Sequence, residues 1–389
     1  MKPANRIHLC LAKMSPDGME QKYVQEAFDT NWVAPLGPNV DAFEKELECY
    51  LNSKIPAGSN HSILNYHNKV AVLSSCTAAI HIALMLLGVK EGDEVICQSM
   101  SFCASSNPVV YCGAKPIFVD SEKETWNMSP ELLETAIKDR IAKTGRKPKA
   151  IIVVDLYGMP ADWEAIEGIA RRYEVPIIED AANALGSTYN GRPCGTFGDI
   201  ATLSFNGNKM ITTSGGGAII CKDEATKKRA VFLATQAKEP CLHYEHEMIG
   251  YNYRMSNICA GVGRGQMTVL DEHIRHHKHV HELYQELFPN VEVHGNPSGH
   301  YESNFWLTTI TFKKEVDVEA ICKVLDQQGI EARPVWKPMH KQPVYKDCPA
   351  YVNGVSEAIF KVGMCLPSGP YVSDEDVMYI VNCIKNAIA

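Results

Sequence analysis

Short apolar runs alternate with helix-like segments between about residue 70 and residue 221. Near-continuous apolar strands that are separated by helices are typical of a mostly parallel sheet with both faces covered. The helical patterns are at 77–88, 129–143 and 163–173. The seven predicted strands are residues 70–74, 94–98, 116–119, 150–155, 175–179, 200–205 and 217–221.

The alternation stops in the last third of the chain. A long helical pattern at 258–287 is followed by a strand pattern at 306–312 and by helical patterns at 318–328 and 374–386. We therefore predict a large α/β domain over residues 15–270 and a smaller C-terminal α+β domain over residues 271–389. The polar stretch 54–68 predicts a surface insertion before the first strand.

Charge and hydropathy exclude several classes of function. The 389 residues carry a net charge of −8 without a long block of one sign, which argues against nucleic-acid binding. The longest apolar stretch, 80–89, is shorter than the ~20 residues of a membrane span, and residues 1–13 lack a signal-peptide pattern. Fourteen scattered cysteines without a Cys-x-x-Cys pair are typical of reduced thiols. We expect a cytoplasmic protein with no membrane partner.

In open parallel sheets, ligands bind beyond the carboxyl ends of the strands, so the residues that follow each run are candidate site residues. Cys76, Thr77 and Ala78 follow the first run and open a helix, where free N–H groups and the helix dipole favour an anion. Thr77 could equally be a plain helix N-cap. Phe102 follows the second run, although an isolated Phe is more often a core residue.

Two further strand ends carry ionisable groups. Glu179 and Asp180 close an apolar run, where burial is costly unless a partner satisfies the carboxylates. Asp180 would suit the protonated ring nitrogen of a cofactor, or it could be a helix N-cap. Ser204 and Lys209 occupy a turn-prone loop beside three glycines. A partly desolvated lysine in a cleft is what Schiff-base chemistry requires, whereas most lysines are surface charges.

An anion cradle, a flat aromatic ring, an acid and a lysine on successive strand ends together meet the requirements of pyridoxal phosphate. The order of five motifs resembles the DegT/DnrJ/EryC1/StrS-type sugar-aminotransferase family. These motifs are SSCTAAIHIAL, EVICQSMSF, PIIEDAANALGS, LSFNGNKMITTSGGG and GYNYRMSNICAGVGRGQM. The resemblance implies the aspartate-aminotransferase-like fold type I of pyridoxal-phosphate enzymes, with a mostly parallel seven-stranded sheet and a smaller C-terminal domain.

The resemblance also implies roles for single residues. Lys209 would bind the cofactor as a Schiff base and then move a proton, Asp180 would pair with the ring nitrogen, and Phe102 would stack on the ring. Ser204 and residues 76–78 would hold the phosphate. Cys76 departs from the family, in which Gly or Ala is common.

Four other positions follow from the same resemblance. Asn183 would lie beside the ring hydroxyl, where many members carry Gln, Glu or His. Asn252 matches an asparagine that reaches the phosphate of the neighbouring subunit, which implies a homodimer with shared active sites. Arg254 and His340 match positions near the diphosphate of a nucleotide sugar, and their donors suit that anion.

The motifs NGNKMITTSGGG, CLHYEHEMIGYNYR and RPVWKPMHKQP resemble the branch that makes UDP-4-amino sugars. This branch implies transfer of an amino group from L-glutamate to C4 of a nucleotide-linked 4-keto-6-deoxy sugar, with UDP-2-acetamido-4-keto-2,6-dideoxyhexose as the expected acceptor. The product would serve surface-polysaccharide or glycan biosynthesis.

Alternative functions remain open at this point. One is a pyridoxal-phosphate nucleotide-sugar dehydratase, although such dehydratases carry His where this chain has Lys209. Another is a non-catalytic sensor that binds the cofactor. A nicotinamide enzyme is disfavoured because no G-x-G-x-x-G follows a strand, and the glycines at 261–265 lie in a helical pattern.

A group of histidines invites a metal site. His273, His277 and His281 share one helical face. No carboxylate or cysteine has ligand spacing around them and HExxH is missing, so we predict no metal site. We expect these histidines on the solvent-facing side of a helix.

Overall fold

The computed structural model describes residues 5–56, 68–289 and 291–388. Residues 57–67, the larger part of the predicted insertion, lie outside the described residues. The strands are β1 (Lys69–Leu73), β2 (Glu94–Gln98), β3 (Lys115–Val119), β4 (Ala150–Val154), β5 (Ile177–Asp180), β6 (Thr188–Tyr189), β7 (Arg192–Pro193), β8 (Ile200–Ser204), β9 (Gly217–Cys221), β10 (Val291–Val293), β11 (Tyr301–Glu302), β12 (Thr308–Phe312), β13 (Arg333–Pro334), β14 (Ala350–Tyr351) and β15 (Gly363–Leu366).

The central sheet has the strand order β1-β9-β8-β5-β4-β2-β3-β14. The five strands from β8 to β3 and the edge strand β14 pair in parallel, whereas β9 is antiparallel to both of its neighbours. All seven predicted strands are confirmed, as is the mostly parallel arrangement. The eighth strand, β14, was not predicted because two residues are too few to show a period.

Helices cover this sheet. The described α-helices are Met19–Asp29, Pro38–Ser53, Cys76–Leu86, Asn107–Tyr111, Pro130–Thr144, Trp163–Tyr173, Glu224–Ala234, Asn257–Met267, Leu270–Leu287, Val318–Gln327, Val355–Val362 and Asp374–Ile388. The pattern predicted as one helix at 258–287 forms two, and the glycines at 261–265 lie inside the first of them. Among the described helices, none combines the length and apolar character needed to cross a bilayer.

The apolar runs of the central strands arise because both faces of the sheet are buried. All five residues of β4 are buried. Successive side chains of a strand point to opposite faces, so Ile151 and Val153 join one apolar cluster while Ala150 and Ile152 join the other. Polar groups are thereby left to the strand ends, where a site can form.

The C-terminal region has its own antiparallel sheet, with the order β10-β12-β15-β13. Its apolar cluster includes Ile7 together with residues between 280 and 384. Ile7 forms a parallel bridge with Ile330, and the Leu9 carbonyl accepts a hydrogen bond from Ser368 N at 2.9 Å. The N-terminal segment thus packs on this region, while the boundary at residue 270 stays a prediction.

The start of β9 lies against the start of the helix Cys76–Leu86. A Cβ atom at Gly217 would overlap the backbone of Ser75 and Cys76. Glycine at this position therefore lets the two backbones approach each other. Gly215, two residues earlier, has no other atom within 4 Å of such a Cβ.

We expect Gly217→Ala to lower the free energy of unfolding by about 1–3 kcal/mol, because the added methyl must push the helix away from the strand. Urea unfolding followed by circular dichroism measures the change. Gly215→Ala is the matched control, and an equal loss in both variants would contradict the role of the close approach.

Candidate active site

A cavity of about 560 Å³ lies at the carboxyl ends of the parallel strands. The segments after β1, β2, β5 and β8 contribute to its wall, and the C-terminal region and the N-terminal segment close it. The predicted site residues that line it are Cys76, Thr77, Phe102, Asp180, Asn183, Ser204 and Lys209. Residues from four separate strand ends therefore meet in one cavity, as the order of the motifs predicted.

Lys209 lies in the turn after β8. Its Nζ donates to Asn183 Oδ1 at 2.5 Å and lies 3.8 Å from the centre of the Trp306 ring. Burial lowers the pKa of Lys209 to about 8, although the negative charge of Asp180 opposes this change. About a tenth of an amine with this pKa is neutral at pH 7, whereas a surface lysine is almost entirely protonated.

Asp180 is the last residue of β5 and is buried. Its Oδ2 accepts from Ser105 Oγ at 2.6 Å and its Oδ1 accepts from Ala182 N at 3.1 Å. Burial raises the pKa of Asp180, and these hydrogen bonds together with the charge of Lys209 oppose the rise. No helix begins at Asp180 in the described chain, so the alternative of a helix N-cap is wrong.

The helix Cys76–Leu86 points its N-terminus at the cavity. Ser75, not Thr77, is the N-cap, and its hydroxyl accepts from Ala78 N at 3.0 Å. The alternative N-cap role of Thr77 is therefore wrong. The N–H of Ala78 is already hydrogen-bonded to the N-cap residue Ser75. The first-turn N–H groups of Cys76 and Thr77 have no acceptor inside the helix and can face an anion.

Phe102 is 55% exposed although it lines the cavity. Its ring centre lies 5.7 Å from that of Trp336. The alternative of a core phenylalanine is therefore wrong. The exposed ring is free to lie against a flat ligand.

Besides Ala78, three predicted residues lie away from the lining of this chain's cavity. Asn252 is exposed and forms an isolated bridge with Thr235. The side chain of Arg254 is 9% exposed, and its Nη1 donates to Glu44 Oε1 at 2.8 Å. His340 has Nδ1 2.6 Å from Ser99 Oγ and Nε2 3.2 Å from Glu357 Oε1. Their roles toward a neighbouring subunit or a nucleotide sugar stay predictions.

The sequence reasoning missed several lining residues. Ser105 orients Asp180 through its hydroxyl, and Trp306 covers Lys209 while its Nε1 donates to Asn208 O at 2.6 Å. Arg333 lines the cavity from β13. The motif RPVWKPMHKQP contains Arg333, but the sequence offers no strand end or spacing that links Ser105 or Trp306 to Lys209.

The prediction that the histidine face of residues 273–281 is exposed to solvent is wrong. His273, His277 and His281 are all buried. His273 Nδ1 donates to Met210 O at 3.1 Å and His277 Nδ1 donates to Phe305 O at 3.2 Å. The helix Leu270–Leu287 packs against the back of the Lys209 loop, and neutral imidazoles satisfy carbonyl groups there. Burial lowers the pKa of His277 to about 3, which keeps this ring uncharged.

Glu179, the neighbour of Asp180, points away from the cavity. Its carboxylate accepts from Gly195 N, Phe197 N and Gly198 N at 2.5, 2.7 and 3.1 Å. It faces Asp155, whose pKa burial and the charge of Glu179 raise well above its usual range. Asp155 Oδ2 is buried and has no hydrogen-bond partner within the described chain. We infer that Asp155 is protonated.

The described residues fit pyridoxal phosphate. Asp180 supplies a buried carboxylate for a protonated ring nitrogen, and Phe102 supplies an exposed ring for stacking. The N-terminus of the helix Cys76–Leu86 and Ser204 supply donors for a phosphate, and Lys209 supplies an amine of lowered pKa.

Comparison with known proteins agrees with these observations. The DegT/DnrJ/EryC1/StrS aminotransferase family matches residues 15–385. The chain is 45% identical over 377 residues to EpsN of Bacillus subtilis (strain 168), whose name describes a pyridoxal phosphate-dependent aminotransferase, covering 95% of this chain and 93% of EpsN. It is 37% identical to the GDP-perosamine synthase of Escherichia coli O157:H7, covering 95% of each chain. The solved PLP-form of the sugar aminotransferase Spr1654 from Streptococcus pneumoniae gives a TM-score of 0.85 at 26% identity, covering 97% of each chain.

We expect the apoprotein to capture pyridoxal phosphate at a rate that rises with pH and is half-maximal at about pH 8, because only the neutral amine of Lys209 attacks an aldehyde. The absorption change on covalent capture measures the rate, and Lys209→Ala is the control that should bind the cofactor without a covalent bond. A rate that rises only near the usual lysine pKa of about 10.4 would contradict the lowered pKa.

Asp155→Asn should make stability less sensitive to alkaline pH. An acid whose pKa is raised on folding contributes stability that is complete below its unfolded pKa and is lost as pH rises through its folded pKa. The amide stays neutral and keeps the acceptor for Ala161 N and Trp163 Nε1, both at 3.0 Å. Urea unfolding at about pH 6 and about pH 9 tests this. A variant that loses as much stability as the parent over that interval would show that Asp155 is ionised.

Proposed function

Because the chain belongs to the DegT/DnrJ/EryC1/StrS aminotransferase family, we propose that it transfers the amino group of L-glutamate to C4 of a nucleotide-linked 4-keto-6-deoxy sugar. The enzyme is a pyridoxal-phosphate-dependent sugar aminotransferase. The observation that carries the proposal is Lys209, whose amine of lowered pKa shares one cavity with Asp180 and with a helix N-terminus. A pyridoxal-phosphate nucleotide-sugar dehydratase does not require a lysine at this position.

Different residues of this chain have different roles in the proposed reaction. When bound, pyridoxal phosphate supplies an electron-poor ring that stabilises negative charge at the carbon that loses its proton. Lys209 Nζ takes and returns that proton, because its pKa of about 8 makes both protonation states accessible. Asp180, oriented by Ser105, keeps a ring nitrogen protonated. Trp306 lies over Nζ and excludes water from this side.

For the acceptor we propose UDP-2-acetamido-4-keto-2,6-dideoxyhexose, within surface-polysaccharide or glycan biosynthesis. The motifs NGNKMITTSGGG and RPVWKPMHKQP support this choice through their resemblance to the UDP-4-amino-sugar branch. The similarity to a GDP-perosamine synthase makes GDP-linked sugars the competing acceptors. A panel of UDP-, GDP- and dTDP-linked 4-keto sugars separates these possibilities.

We also propose a homodimer in which each subunit completes the site of the other. Asn252 is exposed and does not line the cavity of its own chain, which suits a residue that reaches a neighbouring phosphate. For Arg254, two residues further along the chain, and for His340 we propose a role near the diphosphate of the nucleotide sugar, whose negative charge suits their donors.

Lys209→Ala should lower turnover at least about a hundredfold, because the proton on the donor carbon loses its acid and base. Purified enzyme is mixed with L-glutamate, and loss of the absorption of the bound cofactor reports the first half of the transfer. Lys138→Ala, which alters an exposed lysine paired with Glu134, is the control and should behave as the parent.

The 4-keto sugars are then added, and the true acceptor should restore the original absorption. Substantial transamination by Lys209→Ala would refute the role of this lysine. If L-glutamate leaves the spectrum of the parent enzyme unchanged, the result would favour the dehydratase function or another amino donor.

Mixing two variants tests the shared site. Lys209→Ala and Asn252→Ala homodimers should each have low activity. After subunit exchange, random pairing gives about a quarter of all sites both Lys209 and Asn252, so about a quarter of the parent activity should return. A mixture no more active than the average of its two components would show that Asn252 does not act across subunits.

A further inference from the structure

Arg333 stands apart from the predicted site residues, although it lines the same cavity. It lies on β13 in the C-terminal sheet, whereas Lys209 lies in the turn that follows β8 of the central sheet. Among the described residues of the cavity lining, Lys209 and Arg333 are the two with cationic side chains. Neither the resemblance to the family nor the proton transfer by Lys209 gives Arg333 a role.

The guanidinium of Arg333 is held weakly. Its side chain is 67% exposed, and Nη2 lies 3.2 Å from Glu331 Oε1. Within the described chain this is its one hydrogen bond, made through one of five N–H donors. An exposed pair of this kind contributes little to stability, so the guanidinium can exchange Glu331 for another carboxylate at small cost.

Glu331 has other partners that remain when Arg333 leaves. Its Oε2 accepts from Leu9 N at 3.2 Å, and His8 Nδ1 lies 3.4 Å from the same oxygen. Burial raises the pKa of Glu331, but these bonds and Arg333 outweigh it and hold the pKa below its usual range. Glu331 thus stays ionised and attached to the N-terminal segment, and it acts as the resting partner of Arg333.

We propose that Arg333 recognises a carboxylate of the amino donor, and this inference rests on the proposed transfer from L-glutamate. The donor brings two carboxylates into a cavity whose other cation, Lys209, is occupied with the reacting carbon. A planar guanidinium binds a carboxylate through two parallel N–H···O bonds, which a lysine cannot do. Arg333 is therefore a residue that determines the specificity for the donor.

The test compares Arg333→Gln and Arg333→Lys with the parent holoenzyme. The concentration of L-glutamate that converts half of the bound cofactor should rise about tenfold or more in Arg333→Gln, and Arg333→Lys should restore part of the loss. Arg172→Gln is the matched control, because Arg172 is 62% exposed, pairs with a single glutamate, and lies outside the cavity lining. It should match the parent.

A second measurement does not depend on turnover. Calorimetric binding of glutarate, a dicarboxylate that has no amino group to transfer, should weaken in Arg333→Gln, while the binding of UDP should not change. Unchanged glutamate and glutarate binding would overturn the proposal, and so would a loss confined to UDP, which would assign Arg333 to the diphosphate. A parent enzyme that ignores glutamate would instead refute the proposed function, a result visible before any variant is made.

Discussion

The site depends on burying the amine of Lys209 without giving it a carboxylate in direct contact. An ion pair would raise the pKa of the amine and keep it protonated. Here the nearest partners are the amide oxygen of Asn183 and the face of the Trp306 ring, while Asp180 acts on Lys209 through its charge without a hydrogen bond to Nζ. Desolvation therefore prevails and the pKa falls to about 8.

The same arrangement relies on the two-residue period of β5. Glu179 and Asp180 are adjacent, so their side chains leave the strand on opposite faces. Glu179 accepts hydrogen bonds from three backbone N–H groups, whereas Asp180 faces the cavity and accepts a hydrogen bond from Ser105. Two carboxylates at one strand end thus have different tasks. One stabilises the turn at residues 195–198, and the other is the proposed partner of a ring nitrogen.

Much of the fold and part of the site could be predicted from local pattern. The seven long strands of the central sheet, the helix after β1 and the meeting of Asp180 with Lys209 follow from the period of the apolar residues and from where parallel strands end. The histidine face of the helix Leu270–Leu287 was mispredicted, because polarity alone does not show that His273 and His277 have carbonyl groups to satisfy inside the protein.

The sequence by itself determined the class of sheet, the strand ends that carry the chemistry, and the family to which the chain belongs. Each of these follows from short stretches of neighbouring residues, in which the hydrophobic period and the motifs are visible. Only the tertiary structure decided which side chains from distant segments complete the cavity. Three examples are Trp306 over Lys209, Ser105 beside Asp180, and Arg333 in the cavity wall. These side chains meet because the N-terminal and C-terminal regions pack on the central sheet. No local sequence pattern encodes that packing.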